Sequence, residues 1–208
     1  MNTPAEYFAA MYRDTEDPWD LAGRWYERRK YALTAASLPR PSYRSAFEPA
    51  CSVGVLTAVL ADRCERLLSC DRSERAVAAA RRRLADRPHV RVEHLTLPAD
   101  WPGERFDLVV LSEVLYYFDP AGVRDLLERA AASLEPGGTL LAVHWRRPAP
   151  DHAQSGDAVH AAVRATPGLV RTAGHEEPDF LLDVLVRPGP GERPDPGSLS
   201  VAAAEGLA

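Results

Sequence analysis

Residues 48–54 read EPACSVG, and they stand between the apolar lead-in SAF at 45–47 and the helical pattern VLTAVLADRC at 55–64. An acidic residue, a turn of small residues, a glycine and then a helix form the usual start of a nucleotide-binding strand-turn-helix unit. Ala50 and Ser52 occupy places where such turns usually carry glycine. The stretch predicts a tight strand-to-helix turn and raises the question of whether that turn holds a ligand.

The segments around this stretch alternate between strands and helices. Apolar runs with the length of buried parallel strands are separated by segments of helical periodicity. After Trp145 the pattern predicts a helix at 156–166 and two strands joined by a turn within 168–188. We therefore predict an α/β fold with a single doubly wound, Rossmann-like sheet that is mostly parallel and ends in an antiparallel C-terminal hairpin strand. The other predicted strands are 45–49, 66–70, 89–94, 106–112 and 139–145, and the other predicted helices of this region are 53–63, 73–86 and 120–134.

Three regions follow from the patterning. Residues 1–44 are rich in aromatic and charged side chains and predict an N-terminal helical segment, with helices at 3–12 and 22–37. Residues 45–187 carry the strand and helix alternation and form the predicted domain. Residues 188–208 are rich in proline and glycine and predict a disordered tail.

Composition narrows the class of protein. A chain of 208 residues suits one domain, and the net charge of -5 gives no general attraction to nucleic acid, so we expect a small-molecule partner. No basic start precedes an apolar run, and no stretch of about 18 apolar residues occurs, so we expect no membrane contact and a cytoplasmic location. Cys51, Cys64 and Cys70 lack the spacing of metal ligands and are predicted to be buried thiols. We predict no metal site.

The chemistry of the turn restricts its ligand. A dinucleotide-binding turn needs several glycines so that the backbone can approach a pyrophosphate, and only Gly54 is present here. Asp71 ends the second predicted strand, where a carboxylate can accept hydrogen bonds from both hydroxyls of a ribose. S-adenosylmethionine has a ribose and no phosphate, so it is the cofactor we predict. A purely structural turn at Gly54, with Asp71 capping the next helix, is the alternative.

Several further motifs add a family resemblance. EPACSVG, Asp71, FDLVVLSEVLYYF at 106–118 and LEPGGTLL at 134–141 resemble the motifs of class I S-adenosylmethionine-dependent methyltransferases. More narrowly, DPW, WYERRK, LPR and SEVLYYF, in this order, resemble the nodulation protein S (NodS) family, which N-methylates the deacetylated end of a chitin oligosaccharide. The resemblance covers roughly residues 15–145. Ala50, Ser52 and Thr96 depart from the class pattern, which usually has two glycines and an acidic residue there.

The resemblance implies a set of cofactor-binding residues. The first turn would flank the methionine portion and the ribose, the end of the second strand the ribose and adenine, and the end of the fourth strand the sulfonium. A helical lid would close the site, with Arg29 as a partner for the cofactor carboxylate because a guanidinium binds carboxylates bidentately. The implied residues are Trp25, Tyr26, Arg29, Glu48, Ala50, Gly54, Asp71, Arg72, Thr96, Leu97, Ser112 and Glu113.

Methyl transfer to an amine needs a group that orients the nucleophile or accepts its proton. Glu113, Tyr117 and His144 are the predicted catalytic residues, because they fall at or just after the carboxyl ends of strands. Two of them have structural alternatives. Tyr117 or its neighbour Tyr116 would pack in the core, and His144 would be a strand histidine satisfied inside the protein.

The expected function is S-adenosylmethionine-dependent methyl transfer to a small molecule, most specifically N-methylation of an amino sugar or another small amine. O-methylation of a natural-product hydroxyl is the first alternative, because the aromatic lid would suit an aromatic acceptor equally. A catalytically inactive cofactor-binding or interaction protein is the second, favoured by the two missing glycines. A nicotinamide-dependent oxidoreductase is disfavoured by those same glycines. The sequence leaves the oligomeric state open.

Overall fold

A computed structural model describes residues 2–207, and its centre is a seven-stranded sheet with the order β3-β2-β1-β4-β5-β7-β6. The strands are β1 (Ala46–Pro49), β2 (Leu67–Asp71), β3 (Val90–His94), β4 (Phe106–Ser112), β5 (Leu134–Trp145), β6 (Val170–Glu176) and β7 (Phe180–Val186). The helices are α1 (Ala5–Asp14), α2 (Trp25–Ala36), α3 (Val55–Ala61), α4 (Glu74–Arg83), α5 (Pro120–Ser133), α6 (Gly156–Arg164) and α7 (Val201–Ala204).

The sheet topology confirms the predicted fold class. Strands β1 to β5 pair in parallel, whereas β7 runs antiparallel to both β5 and β6. The hairpin therefore inserts its second strand next to β5 and leaves β6 at the edge. The helices between the parallel strands cover both faces, as the right-handed crossover of βαβ units requires.

The central strands are apolar throughout because the sheet is covered on both faces. Every residue of β4 is buried, and alternate residues enter two different clusters. Val109 and Leu111 pack with α5 and α6, whereas Leu108 and Val110 pack with α2 and α3. A strand that contributes to two apolar layers at once loses the alternation of polar and apolar residues, which is why the run FDLVVLS contains so few polar residues.

Strand β5 begins earlier than predicted. The turn expected at 135–138 belongs to the strand, with Gly137 in the left-handed region at a φ of 75°. The backbone N–H of Gly137 donates to the carbonyl of Arg187 at 2.7 Å, and Arg187 N–H donates to the carbonyl of Gly138 at 2.9 Å. Pairing with the chain after β7 thus continues the ladder across this turn sequence. The tail beyond 188 is mostly exposed and contains the short helix α7.

The carboxyl ends of β1, β2 and β4 meet at one edge of the sheet. EPACSVG leads from β1 into α3, Asp71 ends β2, Ser112 ends β4, and Glu113 follows it. Helices α1 and α2, from the N-terminal region, lie over the same edge. The fold therefore gathers the predicted cofactor and catalytic positions in one place, as open α/β sheets do.

Candidate active site

A cavity of about 760 Å³ opens at the carboxyl ends of the parallel strands. This volume lies within the range of small-molecule and cofactor sites. Its walls combine the loops after β1, β2, β3 and β4 with residues of α1 and α2. The predicted residues that line it are Tyr26, Glu48, Ala50, Asp71, Arg72, Thr96, Leu97, Ser112, Glu113 and Tyr117. Trp25, Arg29, Gly54 and His144 lie outside its lining.

The EPACSVG loop adopts the shape of a glycine-rich turn although it holds only one glycine. Ala50, Ser52 and Gly54 all have positive φ, at 57°, 49° and 76°. The loop is held by a hydrogen bond from Cys51 N–H to the carbonyl of Cys70 at 2.8 Å and by one from Ser52 N–H to Asp71 at 3.0 Å. Two residues with a Cβ thus occupy a conformation that glycine adopts at little cost.

Gly54 lies behind the cavity and has a packing role. A Cβ at this position would lie 3.0 Å from the Cβ of Ala80 on α4. The close approach of α3 and α4 at this point therefore leaves no room for a side chain at position 54. Gly54 was predicted to contact a cofactor, but it does not line the cavity.

Because glycine relieves the left-handed strain, we expect Ala50→Gly to raise the free energy of unfolding, by about 0.5–1 kcal/mol. The matched control is Ala78→Gly, the same chemical change at an exposed position inside α4, which should lower the free energy of unfolding by about 1 kcal/mol. Urea denaturation of the two variants and the wild type measures both. Equal destabilisation by the two changes would contradict the strain at Ala50.

Asp71 lies at the rim of the cavity with both carboxylate oxygens engaged. Its Oδ2 accepts the N–H of Ser52 at 3.0 Å, and its Oδ1 accepts the N–H of Ser73 at 2.8 Å. Burial raises the pKa of Asp71, and the two N–H donors oppose that rise. Ser73 itself caps α4 through a bond from Ala76 N–H. Each carboxylate oxygen keeps a second lone pair that can accept a hydroxyl from the cavity.

Glu48 is a buried carboxyl group at the base of the cavity. It is 2% exposed, and its Oε2 accepts a hydrogen bond from the hydroxyl of Ser69 at 2.9 Å. Burial raises the pKa of Glu48 to about 7, against the lowering effect of the hydrogen bond from Ser69. No cationic side chain of residues 2–207 contributes to this shift. The carboxyl group is therefore suited to a positively charged ligand group, which would favour its ionised form.

We expect Glu48→Gln to stabilise the ligand-free protein at alkaline pH. The pKa of Glu48 is higher in the folded than in the unfolded chain, so the wild type loses stability as the pH rises from about 4.5 through 7, by up to about 3 kcal/mol. Glutamine does not titrate. The difference in unfolding free energy between variant and wild type should therefore grow between pH 5 and pH 8, measured by urea denaturation. A difference that stays constant with pH would contradict the raised pKa of Glu48. The control is Glu65→Gln, the same change at an exposed glutamate.

A buried ion-pair network lies where α2 meets the loop after β4. Lys30 is 2% exposed, and its Nζ lies 2.6 Å from Oε1 of Glu113 and 2.9 Å from Oε2 of Glu27. Oε2 of Glu113 accepts the hydroxyl of Tyr116 and, at 2.9 Å, the N–H of Trp145. Burial would raise the pKa of Glu113, but Lys30 and these donors outweigh it, so the pKa is lowered. Glu113 is thus held as a carboxylate at the cavity wall.

The face of α2 that covers the cavity shares Tyr26 with the predicted face but not Trp25 or Arg29. Tyr26 and Lys30, four residues apart, line the cavity. Trp25 is 69% exposed, and Arg29 binds Glu177 bidentately at 2.6 and 2.9 Å. The helix is therefore rotated by one residue relative to the prediction. Arg29, predicted to bind a cofactor carboxylate, is engaged with Glu177 outside the cavity.

His144 supports the site from inside the core. Its Nε2 accepts the N–H of Leu115 at 3.2 Å, and its Nδ1 lies 3.2 Å from Nε2 of His160, whose Nδ1 contacts Asp183 at 2.6 Å. Both imidazoles are fully buried, and burial lowers the pKa of His144 well below its usual range. The prediction of His144 as a catalytic residue is therefore corrected to the structural alternative, a strand histidine with satisfied nitrogens.

Helix α1 roofs the cavity and is anchored at both ends. The hydroxyl of Tyr12 lies 2.6 Å from Oγ of Ser52, and the hydroxyl of Tyr7 donates to Asp151 at 2.7 Å. Thr3 N–H donates to the carbonyl of Tyr117 at 2.8 Å. These contacts hold α1 over the cavity, and Ser52 makes one of them through its hydroxyl, at a position where the class usually has glycine.

Metal-binding clusters and membrane-spanning helices are both absent from the described residues. Residues 2–207 contain no cluster of three or more His, Cys, Asp or Glu side chains arranged to hold a metal ion. Within that same range, no helix has the length and apolar character that crossing a bilayer demands.

Comparison with known proteins gives the family. Residues 47–140 match the family model of a methyltransferase domain. Nodulation protein S of Sinorhizobium fredii is 31% identical over 143 residues, which cover 67% of this chain and 66% of that protein. Nodulation protein S of Rhizobium tropici is 34% identical over 128 residues, which cover 61% of this chain and 54% of that protein. The chain thus spans less than two thirds of the length of each of these curated relatives.

Solved structures agree with this family. A protein of Pseudomonas syringae named as a methyltransferase is 49% identical, with a TM-score of 0.69 over 79% of this chain and 100% of that one. The N-methyltransferase NodS of Bradyrhizobium japonicum, solved with S-adenosyl-L-homocysteine, is 26% identical, with a TM-score of 0.78 over 90% of this chain and 100% of that one. The chain therefore belongs to the class I S-adenosylmethionine-dependent methyltransferases, and it resembles NodS. Its cofactor is S-adenosylmethionine.

Proposed function

We propose that this protein transfers a methyl group from S-adenosylmethionine to the nitrogen of a small amine, with an amino sugar as the first candidate. The observation that carries this proposal is Glu113, a carboxylate kept ionised at the cavity wall just after β4. A fixed negative charge attracts and orients an ammonium or amine group more strongly than a neutral hydroxyl.

The chain's own residues fit the cofactor. Asp71 offers free lone pairs to ribose hydroxyls, and Leu95 and Leu97 offer an apolar wall to the adenine. Glu48, which has no cationic partner within the described part of the chain, offers its carboxyl group to the ammonium of the methionine portion. Bound cofactor supplies an activated methyl group on a sulfonium. The protein's task is then to align the nucleophile and to exclude water.

The charge of the cavity supports a cationic acceptor. Six acidic residues but only three basic ones line it, and Lys30, the most buried of the basic residues, is already neutralised by Glu27 and Glu113. The acidic residues are Glu27, Glu48, Asp71, Glu113, Asp151 and Asp179, and the basic ones are Arg24, Lys30 and Arg72. The excess of negative charge favours binding of a cationic amine over an anionic acceptor.

Aromatic side chains support a sugar or another ring as the body of the acceptor. Tyr26, Tyr117 and Trp145 line the cavity. The hydroxyl of Tyr26 is buried and has no hydrogen-bond partner among the described residues. A buried hydroxyl without a partner is costly, so a polar acceptor that bonds to it would gain affinity. The resemblance to NodS is the reason to test amino sugars first.

Transfer of labelled methyl groups between matched acceptors tests this function. Glucosamine and short chitin oligosaccharides with a free amine should accept label, whereas their N-acetylated forms should not. Simple phenols form a third group, because they would accept label if the protein were an O-methyltransferase. Label in phenols alone would overturn the proposed N-methylation. Binding of S-adenosylhomocysteine without transfer to any acceptor of a broad amine panel would indicate a binding protein.

The free cysteines bear on where the protein would work. Cys51, Cys64 and Cys70 are all unpaired, and Cys51 and Cys70 are buried. Three unpaired thiols support the cytoplasm, a reducing compartment, as the proposed location.

A further inference from the structure

His152 faces the same cavity as Glu113 and was not among the predicted site residues. It lies in the connection between β5 and α6, and it lines the cavity together with Tyr116 and Tyr117. Its imidazole is stacked on the ring of Tyr116, with centroids 3.7 Å apart and an angle of 16° between the planes. The ring of Tyr117 meets it edge-on at 5.4 Å. Two aromatic rings therefore fix the orientation of this imidazole.

The stack ties His152 to the carboxylate network. The hydroxyl of Tyr116 donates to Oε2 of Glu113, so one tyrosine contacts the imidazole with its ring face and the carboxylate with its tip. An acceptor amine drawn to Glu113 would therefore arrive in the part of the cavity that also contains the imidazole. No other histidine of the described residues lines this cavity.

The nitrogens of His152 are available. No residue within 2–207 forms a hydrogen bond with its ring, and the ring is only partly buried. The charged and titratable groups around it are Asp151 beside it, Glu113 after β4, Tyr116 and Tyr117 in the following turn, and His144 on β5. Burial lowers the pKa of His152, and the charges of Asp151 and Glu113 oppose this. The imidazole is therefore neutral at neutral pH and can accept a proton.

Glu113 is poorly suited to the same task. Its two oxygens already accept bonds from Lys30, Tyr116 and Trp145. A carboxylate stabilised in this way holds a proton weakly. A carboxylate whose oxygens already accept several hydrogen bonds and an imidazole with available nitrogens are suited to different tasks, electrostatic binding and proton transfer. Here Glu113 has the properties of the charge that binds the ammonium, and His152 has those of a base.

We propose that His152 accepts the proton of the acceptor's ammonium group and so generates the neutral amine nucleophile. This inference rests on the proposed N-methylation. An ammonium R–NH3⁺ gives one proton to the imidazole and becomes R–NH2. The amine lone pair then forms the N–C bond to the methyl group while the C–S bond breaks and its electron pair stays on sulfur. The product leaves as a methylated ammonium, and the imidazolium returns its proton to water.

His152→Gln tests the proposal, with His175→Gln as the matched control on β6, outside the cavity. For amines of increasing basicity, kcat/KM at pH 7 should fall in the His152 variant by about 100-fold or more, and the loss should grow with the pKa of the amine. Activity should return as the pH approaches that pKa, because the amine then arrives neutral. His152→Ala should recover activity when imidazole is added. The affinity of the two His152 variants for S-adenosylhomocysteine, measured by calorimetry, should stay within twofold of wild type.

The outcomes separate this inference from the proposed function. Wild type that methylates amines, together with a His152→Gln variant of equal kcat/KM and the same pH profile, would overturn the role of His152 and leave N-methylation standing. A loss that is independent of amine basicity and unrelieved by imidazole would also overturn it, because that pattern indicates a structural role. Wild type that methylates no amine would overturn both.

Discussion

Replacing Lys30 with methionine is expected to lower the free energy of unfolding by about 3–5 kcal/mol. The ammonium is 2% exposed and lies within 2.9 Å of two carboxylates, Glu27 and Glu113. Removing it would leave both charges buried together without a cation. Burial lowers the pKa of Lys30, but the two carboxylates outweigh that effect and raise it, so the lysine is charged in the folded protein. Urea denaturation at pH 7 measures the loss.

A triple variant distinguishes the loss of the positive charge that neutralises the two carboxylates from the loss of side-chain packing. Glu27→Gln/Lys30→Met/Glu113→Gln removes all three charges, so it should regain most of the stability that Lys30→Met loses. Replacement of a complete buried ion pair is often close to neutral, whereas removal of one partner is not. A single Lys30→Met variant that loses less than about 1 kcal/mol would contradict a desolvated network. The triple variant should bind S-adenosylhomocysteine but fail to methylate amines, because Glu113 is gone.

The second large effect is expected at Asp71. We predict that Asp71→Asn weakens the binding of S-adenosylhomocysteine at least 100-fold, as measured by isothermal titration. The carboxylate can accept hydroxyls of the ribose, whereas the amide has one acceptor oxygen and turns two donor hydrogens towards the loop. A site that hydrogen-bonds a ligand hydroxyl loses much of its affinity when one of the hydrogen-bonding groups is changed.

Asp107 provides a matched control for this variant. It is also a buried aspartate whose two oxygens accept backbone N–H groups, from Arg44 and Ser45 at 2.9 Å each, but it lies at the amino end of β4, away from the cavity. Asp107→Asn should therefore cost similar stability and leave the affinity for S-adenosylhomocysteine intact. Equal affinities of the two variants would show that Asp71 does not hold the ribose.

The sequence predicts the backbone of the site well, for a physical reason. Strand ends such as Asp71 and Ser112 are set by apolar runs, and the parallel sheet must bring those ends together. The turn at 48–54 keeps its shape even though Ala50 and Ser52 lack the freedom of glycine, because Asp71 and the end of β2 hold its N–H groups. The local sequence pattern is therefore sufficient to predict those features of the site that the backbone determines.

Side-chain direction is where sequence reasoning failed. On α2 a rotation of one residue, about 100°, places Lys30 at the cavity instead of Trp25 and Arg29, whereas Tyr26, which was predicted, also lines it. The acid and base of Glu27 and Lys30, three residues apart, were the available sign of an internal pair. His144 and His152 could not be distinguished by pattern, since the role of each depends on contacts with distant elements.

The central claim is that the acceptor atom is nitrogen. The most direct measurement is the position of the methyl group, determined by NMR and mass spectrometry, on the product formed from an amino sugar that carries both an amine and free hydroxyls. The proposed function predicts a single product with the added methyl group on nitrogen, and no such product from the N-acetylated sugar. A methyl group on a hydroxyl oxygen, with the amine unmodified, would contradict the account.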